Sequence, residues 1–191
     1  MGKKKVAVLI SGFGGNLQAL IDACAVPGFP AEIAGVISNK AEAYGLTRAK
    51  NHNIPSFVVS HKDFKTRDEF DAELHKKLTG FGAEIVCLAG FMRLLTPEFV
   101  NKWQGRMINI HPSLLPAFKG GNAVEDALAA GAKKTGCSVH YVIPEMDSGE
   151  VITQREVEIS AGDNLESLSQ KIHTQEHIAY PAALKIVCGK L

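Results

Sequence analysis

Short, continuous apolar runs separated by amphipathic stretches constrain the fold of this chain more than any other feature. Val6-Ala7-Val8-Leu9-Ile10 and Ile85-Val86-Cys87-Leu88-Ala89 show no polar alternation, so strands made from them would be buried on both faces. Between such runs, apolar residues recur at helical spacing. Strands that alternate with helices pair in parallel through helical crossovers. The pattern therefore predicts an α/β fold, a Rossmann-like doubly wound sheet.

The pattern changes after residue 121. Before that point we expect five strands at 5–11, 33–38, 56–59, 85–89 and 107–110, and helices at 16–25, 41–51, 67–78 and 97–103. After it we expect a helix at 123–130. Two further strands, 137–143 and 151–159, are joined by the turn-forming Pro144–Gly149, and strands this close in sequence pair antiparallel. A last helix, 165–187, contains Pro181, where we expect a bend. The sheet should be mostly parallel with an antiparallel C-terminal portion.

Composition narrows the class of protein. The chain has 191 residues, of which 46% are hydrophobic and 21% charged, so we expect residues 1–191 to form a single domain. A formal net charge of +1 does not favour a nucleic-acid partner. No apolar run approaches the roughly 20 residues that span a bilayer, so we expect no membrane association. The four cysteines are widely spaced, which indicates neither a metal site nor a disulfide framework, and we predict a cytoplasmic protein.

A glycine-rich turn, Ser11–Asn16, lies between the first strand and the first helix. Backbone N–H groups at a helix N-terminus favour an anion, and glycines let a phosphate approach closely. A dinucleotide is disfavoured, because the third glycine of G-x-G-x-x-G falls on Leu17 and Ser38-Asn39-Lys40 stands where a ribose-binding acid is expected. Two interpretations stay open: a site for one phosphomonoester, or a tight turn that binds nothing.

Asn109 and His111 are the main candidates for chemistry. They are two residues apart on a predicted strand that Pro112 ends, so both side chains point to one side at the strand's carboxyl end, where ligands bind in open α/β sheets. An imidazole moves protons near neutral pH, and an amide N–H stabilises an oxyanion. Neither is a strong nucleophile, which favours direct attack by a substrate amine. Asp147, in the later turn, is the candidate carboxylate to support His111, although each feature alone is also typical of an ordinary turn.

Several segments, in order along the chain, resemble the 10-formyltetrahydrofolate-dependent formyltransferases. The similarity runs from Val8 to about Val187 and is strongest to the members that formylate glycinamide ribonucleotide in purine synthesis. The matching segments are Ser11-Gly12-x-Gly-x-Asn16-Leu17-Gln18-Ala19, Val36-Ile37-Ser38-Asn39-Lys40, Leu88-Ala89-Gly90-Phe91-Met92-Arg93, Ile108-Asn109-Ile110-His111-Pro112-Ser113-Leu114-Leu115-Pro116, Met146-Asp147-Ser148-Gly149 and Thr174-Gln175-Glu176-His177.

The resemblance implies a role for each matching residue. Asn109, His111 and Asp147 would be catalytic, with 10-formyltetrahydrofolate as co-substrate, no metal, and a monomer or homodimer as the working unit. The phosphate of glycinamide ribonucleotide would lie on Gly14, Gly15 and Asn16, and its ribose on Glu176 with the neighbouring His173, Thr174 and Gln175. The residues implied to bind the formyl folate are Arg67, Met92, Arg93, Leu94, Leu95, Asn109, Ile143, Pro144, Glu145, Met146 and Asp147.

The sequence departs from the family pattern in the glycine-rich turn. The family usually has serines where this chain has Phe13 and Gly15, and a histidine where it has Val124. The backbone donors survive, but a lost hydroxyl contact to a charged group costs about 1.5–3 kcal/mol, which predicts weaker ribonucleotide binding. Two alternatives remain: a formyltetrahydrofolate hydrolase, in which water is the acceptor, and a nucleotide-binding module without catalysis.

Overall fold

The computed structural model describes residues 2–191, and its seven strands form one sheet. The strands are β1 (Lys4–Ile10), β2 (Ala31–Ser38), β3 (Ser56–Val58), β4 (Ile85–Leu88), β5 (Met107–His111), β6 (Lys134–Tyr141) and β7 (Val151–Glu158). Their order is β3-β2-β1-β4-β5-β6-β7. Strands β1 to β5 pair in parallel, whereas β6 and β7 are antiparallel. The predicted sheet, mostly parallel with an antiparallel C-terminal portion, is confirmed.

Helices cover both faces of the sheet, as the continuous apolar strands predict. They are α1 (Gly15–Ala25), α2 (Tyr44–Asn51), α3 (Arg67–Gly80), α4 (Pro97–Lys102), α5 (Ala123–Ala129) and α6 (Leu165–Lys190), with a 3₁₀ turn at His61–Asp63. Alternate residues of β1 face opposite layers: Val6 and Val8 belong to the cluster that contains α1 and α6, while Ala7 and Leu9 belong to the cluster that contains α3 and α4. From Val6 to Ile10, both faces of β1 are therefore fully buried.

Local signals explain where several helices begin. Thr66 forms a capping box at the start of α3, and Asn164 forms one at the start of α6. At the start of α4, the Thr96 hydroxyl accepts the Phe99 N–H, and Pro97 occupies the first helical position. Pro181 lies inside α6, and the helix continues past it to Lys190. None of the helices between residues 2 and 191 is long and apolar enough to cross a membrane.

Several predicted boundaries differ from the structure, and those of two elements are wrong for identifiable reasons. Helix α2 begins at Tyr44 rather than Ala41, because Ala43 is extended (φ −63, ψ 119) and its N–H closes a turn onto the Lys40 carbonyl. Strand β6 covers Lys134–Tyr141 rather than 137–143. Its first three residues pair with Glu156–Glu158 although they form no apolar run, so hydrophobic periodicity does not mark them.

Candidate active site

The carboxyl ends of β1, β4 and β5 meet at one edge of the sheet. The chain crosses from β1 to β2 on one side and reaches β4 and β5 on the other, so this edge is a topological switch point, where open α/β sheets bind ligands. Two cavities lie here, of about 260 Å³ and about 470 Å³, and both are lined by Gly90 and Met92. We call them the strand cavity and the turn cavity, respectively. The shared lining means that two ligands bound here would meet.

The strand cavity contains all three side chains predicted to be catalytic, Asn109, His111 and Asp147. Strand β5 presents Asn109 and His111 on one side, as its two-residue period requires. His111 Nδ1 lies 3.5 Å from Asp147 Oδ2, and both side chains are largely buried. The turn that follows β6 thus brings Asp147 next to His111, a contact that the sequence alone did not show.

His111 faces an acceptor at each ring nitrogen. Its Nε2 lies 2.8 Å from the Phe118 carbonyl oxygen, while Nδ1 faces the Asp147 carboxylate. Carbonyl and carboxylate oxygens only accept, so an imidazolium with two N–H groups satisfies both neighbours. The arrangement suits a group that holds a proton and passes it on.

Asp147 is held as a carboxylate. Burial alone would raise its pKa, but hydrogen bonds from His140 and from the Gly120 N–H, with the two nearby imidazoles, lower the pKa to about 2. The Gly120 N–H donates to Oδ2 at 2.9 Å. Asp147 also has a positive φ of 50°, a conformation that non-glycine residues rarely adopt and that is common at functional sites.

His140 is a site residue that the sequence did not reveal. It lies opposite Asn109 in the β5–β6 pairing, and its Nε2 is 3.3 Å from Asn109 Nδ2 and 3.6 Å from Asp147 Oδ1. Its Nδ1 lies 2.8 Å from the Tyr141 carbonyl oxygen, which requires an N–H there. His140 Nε2 therefore lies between the amide and the carboxylate of the site: a neutral ring accepts from Asn109 there, whereas an imidazolium donates to Asp147.

The loop at 112–121 folds against the strand cavity. Besides the Gly120–Asp147 contact, the Lys119 ammonium donates to Ser148 Oγ at 2.7 Å. At the loop's base, the buried Ser138 hydroxyl donates to the Ser113 carbonyl at 2.6 Å and accepts the Leu115 N–H at 3.0 Å. The loop is thus tied to the same turn that carries Asp147.

Most residues expected to bind a folate line the strand cavity. Met92 and Met146 remain well exposed there, which leaves apolar surface for a flat ligand. Arg67 instead lines a smaller neighbouring cavity of about 170 Å³, which shares Arg93 and Leu94 with the strand cavity. Glu145 is exposed and lines neither cavity. The other expected residues that line the strand cavity are Leu95, Asn109, Ile143, Pro144 and Asp147.

The glycine-rich turn forms one wall of the turn cavity. Gly14 is the N-cap of α1 with φ 77, and a Cβ added there would lie 2.8 Å from the Gly45 Cα atom, so both conformation and close packing require glycine. The Asn16 amide donates to Glu176 Oε2 at 2.8 Å, while its buried Oδ1 has no partner within residues 2–191. No side chain of the described residues caps the first turn of α1, so the helix N-terminus is open to an anion.

Helix α6 forms the opposite wall with Gln170, His173 and His177. Burial lowers the pKa of His177; His173 and Arg48 lower it further, against the raising effect of Glu176. His177 was not predicted as a site residue, although its i, i+4 spacing from His173 places both on one helix face.

The other α6 residues predicted to bind the ribonucleotide do not line this cavity. Glu176 is buried and bonded to Asn16 behind the cavity wall. The Thr174 hydroxyl donates to the Gln170 carbonyl, and Gln175 accepts from Arg155 Nε at 2.6 Å. The structure thus brings only His173, of the four, into the cavity lining.

The strand cavity and the turn cavity together suit a reaction at a carbonyl group next to a bound anion. An amide, two imidazoles and an ionised carboxylate surround the strand cavity, and an open helix N-terminus with two more imidazoles surrounds the turn cavity. Such groups polarise a carbonyl and move protons. Within the described residues 2–191, no group of three or more His, Cys, Asp or Glu side chains is arranged to hold a metal ion.

Known proteins resemble the chain over almost its whole length. It is 54% identical over 189 residues to a trifunctional purine biosynthetic protein adenosine-3 of Chironomus tentans, covering 98% of this chain but only 14% of that protein. It is 44% identical over 182 residues to a phosphoribosylglycinamide formyltransferase of Haemophilus influenzae, covering 95% of this chain and 86% of that one. A solved phosphoribosylglycinamide formyltransferase structure from Coxiella burnetii superposes with a TM-score of 0.93 at 45% identity, covering 98% and 88% of the two chains.

The first of these similarities concerns a small part of a much longer relative, since the chain spans less than a fifth of the trifunctional proteins that it matches. The assignment of the chain to a family does not rest on those long proteins. The sequence pattern of the formyl transferase family matches residues 4–184, and the chain belongs to that family.

Proposed function

We propose that this chain transfers the formyl group of 10-formyltetrahydrofolate to the glycyl amine of glycinamide ribonucleotide, a step of de novo purine synthesis. One observation carries the proposal: a cavity with Asn109, His111 and Asp147 meets an anion-type cavity at Gly90 and Met92. A formyl donor in the first and a phosphorylated amine in the second would have their reacting ends together. Relatives named phosphoribosylglycinamide formyltransferase, in bacteria, support this choice of substrates.

The ribonucleotide binds with its phosphate at the α1 N-terminus. The N–H groups of the turn at Gly14, Gly15 and Asn16 take the phosphate oxygens, because helix N-termini favour anions. The ribose lies toward α6, where His173 lines the cavity and Glu176 accepts from Asn16. Thr174 and Gln175 lie between these two residues and bond to Gln170 and Arg155, so they would support the ribose-binding part of α6 from outside the cavity.

The formyl folate binds in the strand cavity. Its flat ring system packs on the apolar residues Met92, Leu94, Leu95 and Met146 and on the Ile143–Asp147 turn. Arg67 and Arg93 line the adjoining smaller cavity and supply positive charge for the acidic end of the folate.

The reaction runs by direct attack of the glycyl amine on the formyl carbon. The Asn109 amide and the His111 imidazolium stabilise the oxyanion that forms on the formyl oxygen. The ionised Asp147 supports His111 and the transfer of the proton that the amine gives up. Collapse of the intermediate breaks the bond to the folate nitrogen, which takes up a proton as it leaves.

We also propose that residues 1–191 act as a single formyltransferase domain, as a monomer or homodimer, in the cytoplasm. Asn109 and His111 lie on one strand of a single seven-stranded sheet, and Asp147 lies in the turn between two others, which supports the single domain. The four cysteines are buried free thiols, a state that a reducing compartment preserves.

The test is to follow folate absorbance with and without glycinamide ribonucleotide. We expect turnover only with the ribonucleotide, with one formylated product for each folate released. Turnover without it, accompanied by formate, would indicate the hydrolase. Absence of turnover under both conditions would leave a binding module and overturn the proposal.

A further inference from the structure

Helix α2 holds the glycine-rich turn from the side away from α6. The Gly45 N–H donates to the Gly12 carbonyl at 3.1 Å, and Arg48 Nε donates to the Phe13 carbonyl at 3.0 Å. Two consecutive carbonyls of the turn thus accept hydrogen bonds from residues one turn apart in α2.

Pinning these carbonyls also orients two N–H groups. The Gly12–Phe13 and Phe13–Gly14 peptides are trans, so each N–H points opposite to the carbonyl of its own peptide unit. Neither the Phe13 nor the Gly14 N–H donates to any group in the described part of the chain. The turn cavity is lined by this turn and by α6, and neither Gly45 nor Arg48 is among its lining residues. The two free N–H groups therefore face the cavity and form an anion nest.

Arg48 is itself fixed in place by an aromatic pair. Its guanidinium carbon lies 4.6 Å from the Phe13 ring centroid and 5.1 Å from that of Tyr44, and the two rings stack at 5.2 Å. Its Nη1 also donates to Gln18 Oε1 in α1 at 3.2 Å. Phe13 is 70% exposed, and its contact with Arg48 explains why an aromatic side chain stands in an exposed turn.

We propose that Arg48 is a positioning residue for the phosphate of the substrate, acting through the Phe13 carbonyl to hold the Phe13 and Gly14 N–H groups toward the turn cavity. The Phe13–Tyr44 pair keeps the guanidinium in place. A rigid set of backbone donors thereby takes over from the turn hydroxyls that this chain lacks. This inference rests on the proposed function, in which a phosphate occupies the turn cavity.

The experiment compares Arg48→Met, Tyr44→Ala and the control Lys50→Met, which removes a positive charge from the same helix at an exposed position. Arg48→Met should raise the KM for glycinamide ribonucleotide about tenfold, since a charge-assisted hydrogen bond is lost. Tyr44→Ala, which keeps the charge, should raise it about threefold through the lost cation–π contact. For all three variants, kcat and the KM for formyl folate should stay within twofold of the parent, which a general loss of structure would not allow.

Calorimetric titration with inorganic phosphate gives a readout independent of turnover, and the Kd should rise by the same factors. An Arg48→Met KM equal to that of Lys50→Met would overturn the inference. So would a Tyr44→Ala KM equal to the parent's, because Arg48 would then act by its charge alone. If the parent binds phosphate in an Arg48-dependent way but never formylates the ribonucleotide, the proposed function fails while the positioning role stands.

Discussion

At the scale of single residues, the Asp147 carboxylate lies between two imidazoles, those of His111 and His140. Asp147→Asn keeps the shape but removes the charge that supports an imidazolium at His111. We expect kcat to fall about 100-fold or more, as is typical when acid–base function is lost, while both KM values change little. Steady-state kinetics would test this, with Glu150→Gln as the control variant, because Glu150 is an exposed carboxylate three residues further along the chain. A near-normal kcat would remove Asp147 from the mechanism.

The ionisation of Asp147 gives a second prediction at this scale. Its folded pKa of about 2 lies below the unfolded value of about 3.9. The stability from this group is therefore fully present above about pH 4 and is lost as the pH falls toward 2. Carbon-13 NMR of labelled aspartate should show no Asp147 titration with a midpoint above pH 3. A midpoint near 4 would mean that its hydrogen bonds do not hold in solution.

Gly14 carries the third prediction. A methyl group there would face the Gly45 backbone and would force a left-handed φ on alanine. Gly14→Ala should destabilise the fold by about 1–3 kcal/mol and weaken phosphate binding, measured by denaturant unfolding and by titration. Gly80→Ala, where a Cβ meets no neighbouring atom within 4 Å, is the matched control. Equal behaviour of the two variants would contradict the close packing of α1 on α2.

At the scale of elements, strand β6 anchors the loop that covers the site. Ser138 Oγ bonds both the Ser113 carbonyl and the Leu115 N–H, and it also accepts from Gln154. Ser138→Ala leaves buried groups without partners, so the free energy of unfolding should fall by about 1–3 kcal/mol. The exposed Ser56→Ala should be within about 0.5 kcal/mol of the parent. Urea unfolding distinguishes the two, and a neutral Ser138→Ala would show that the loop is held elsewhere.

Elements also show what the sequence could predict and what it could not. The two-residue period of β5 was sufficient to place Asn109 and His111 on one side, because that alternation is local. His140 escaped prediction because its position depends on the antiparallel register of β5 and β6, which no local pattern sets. The Arg48 contact with the turn escaped for the same reason, since it joins segments 35 residues apart.

At the scale of the whole molecule, sheet order decides where the two cavities lie. Strand–helix alternation predicted a parallel sheet whose carboxyl ends share one edge, and the order β2-β1-β4-β5 puts the end of β4 between the glycine-rich turn and the end of β5. Periodicity could not supply that order, because several orders satisfy the same alternation of strands and helices. The contact of the cavities at Gly90 and Met92 is thus a property of the assembled sheet.

The most direct test of the account follows the formyl carbon itself. Carbon-13 in the formyl group of 10-formyltetrahydrofolate is traced by NMR during turnover with glycinamide ribonucleotide. We expect the label to appear only as a formamide on the glycyl nitrogen, in a 1:1 ratio to the folate released. Label that appears as free formate, or label that stays on the folate, would contradict it.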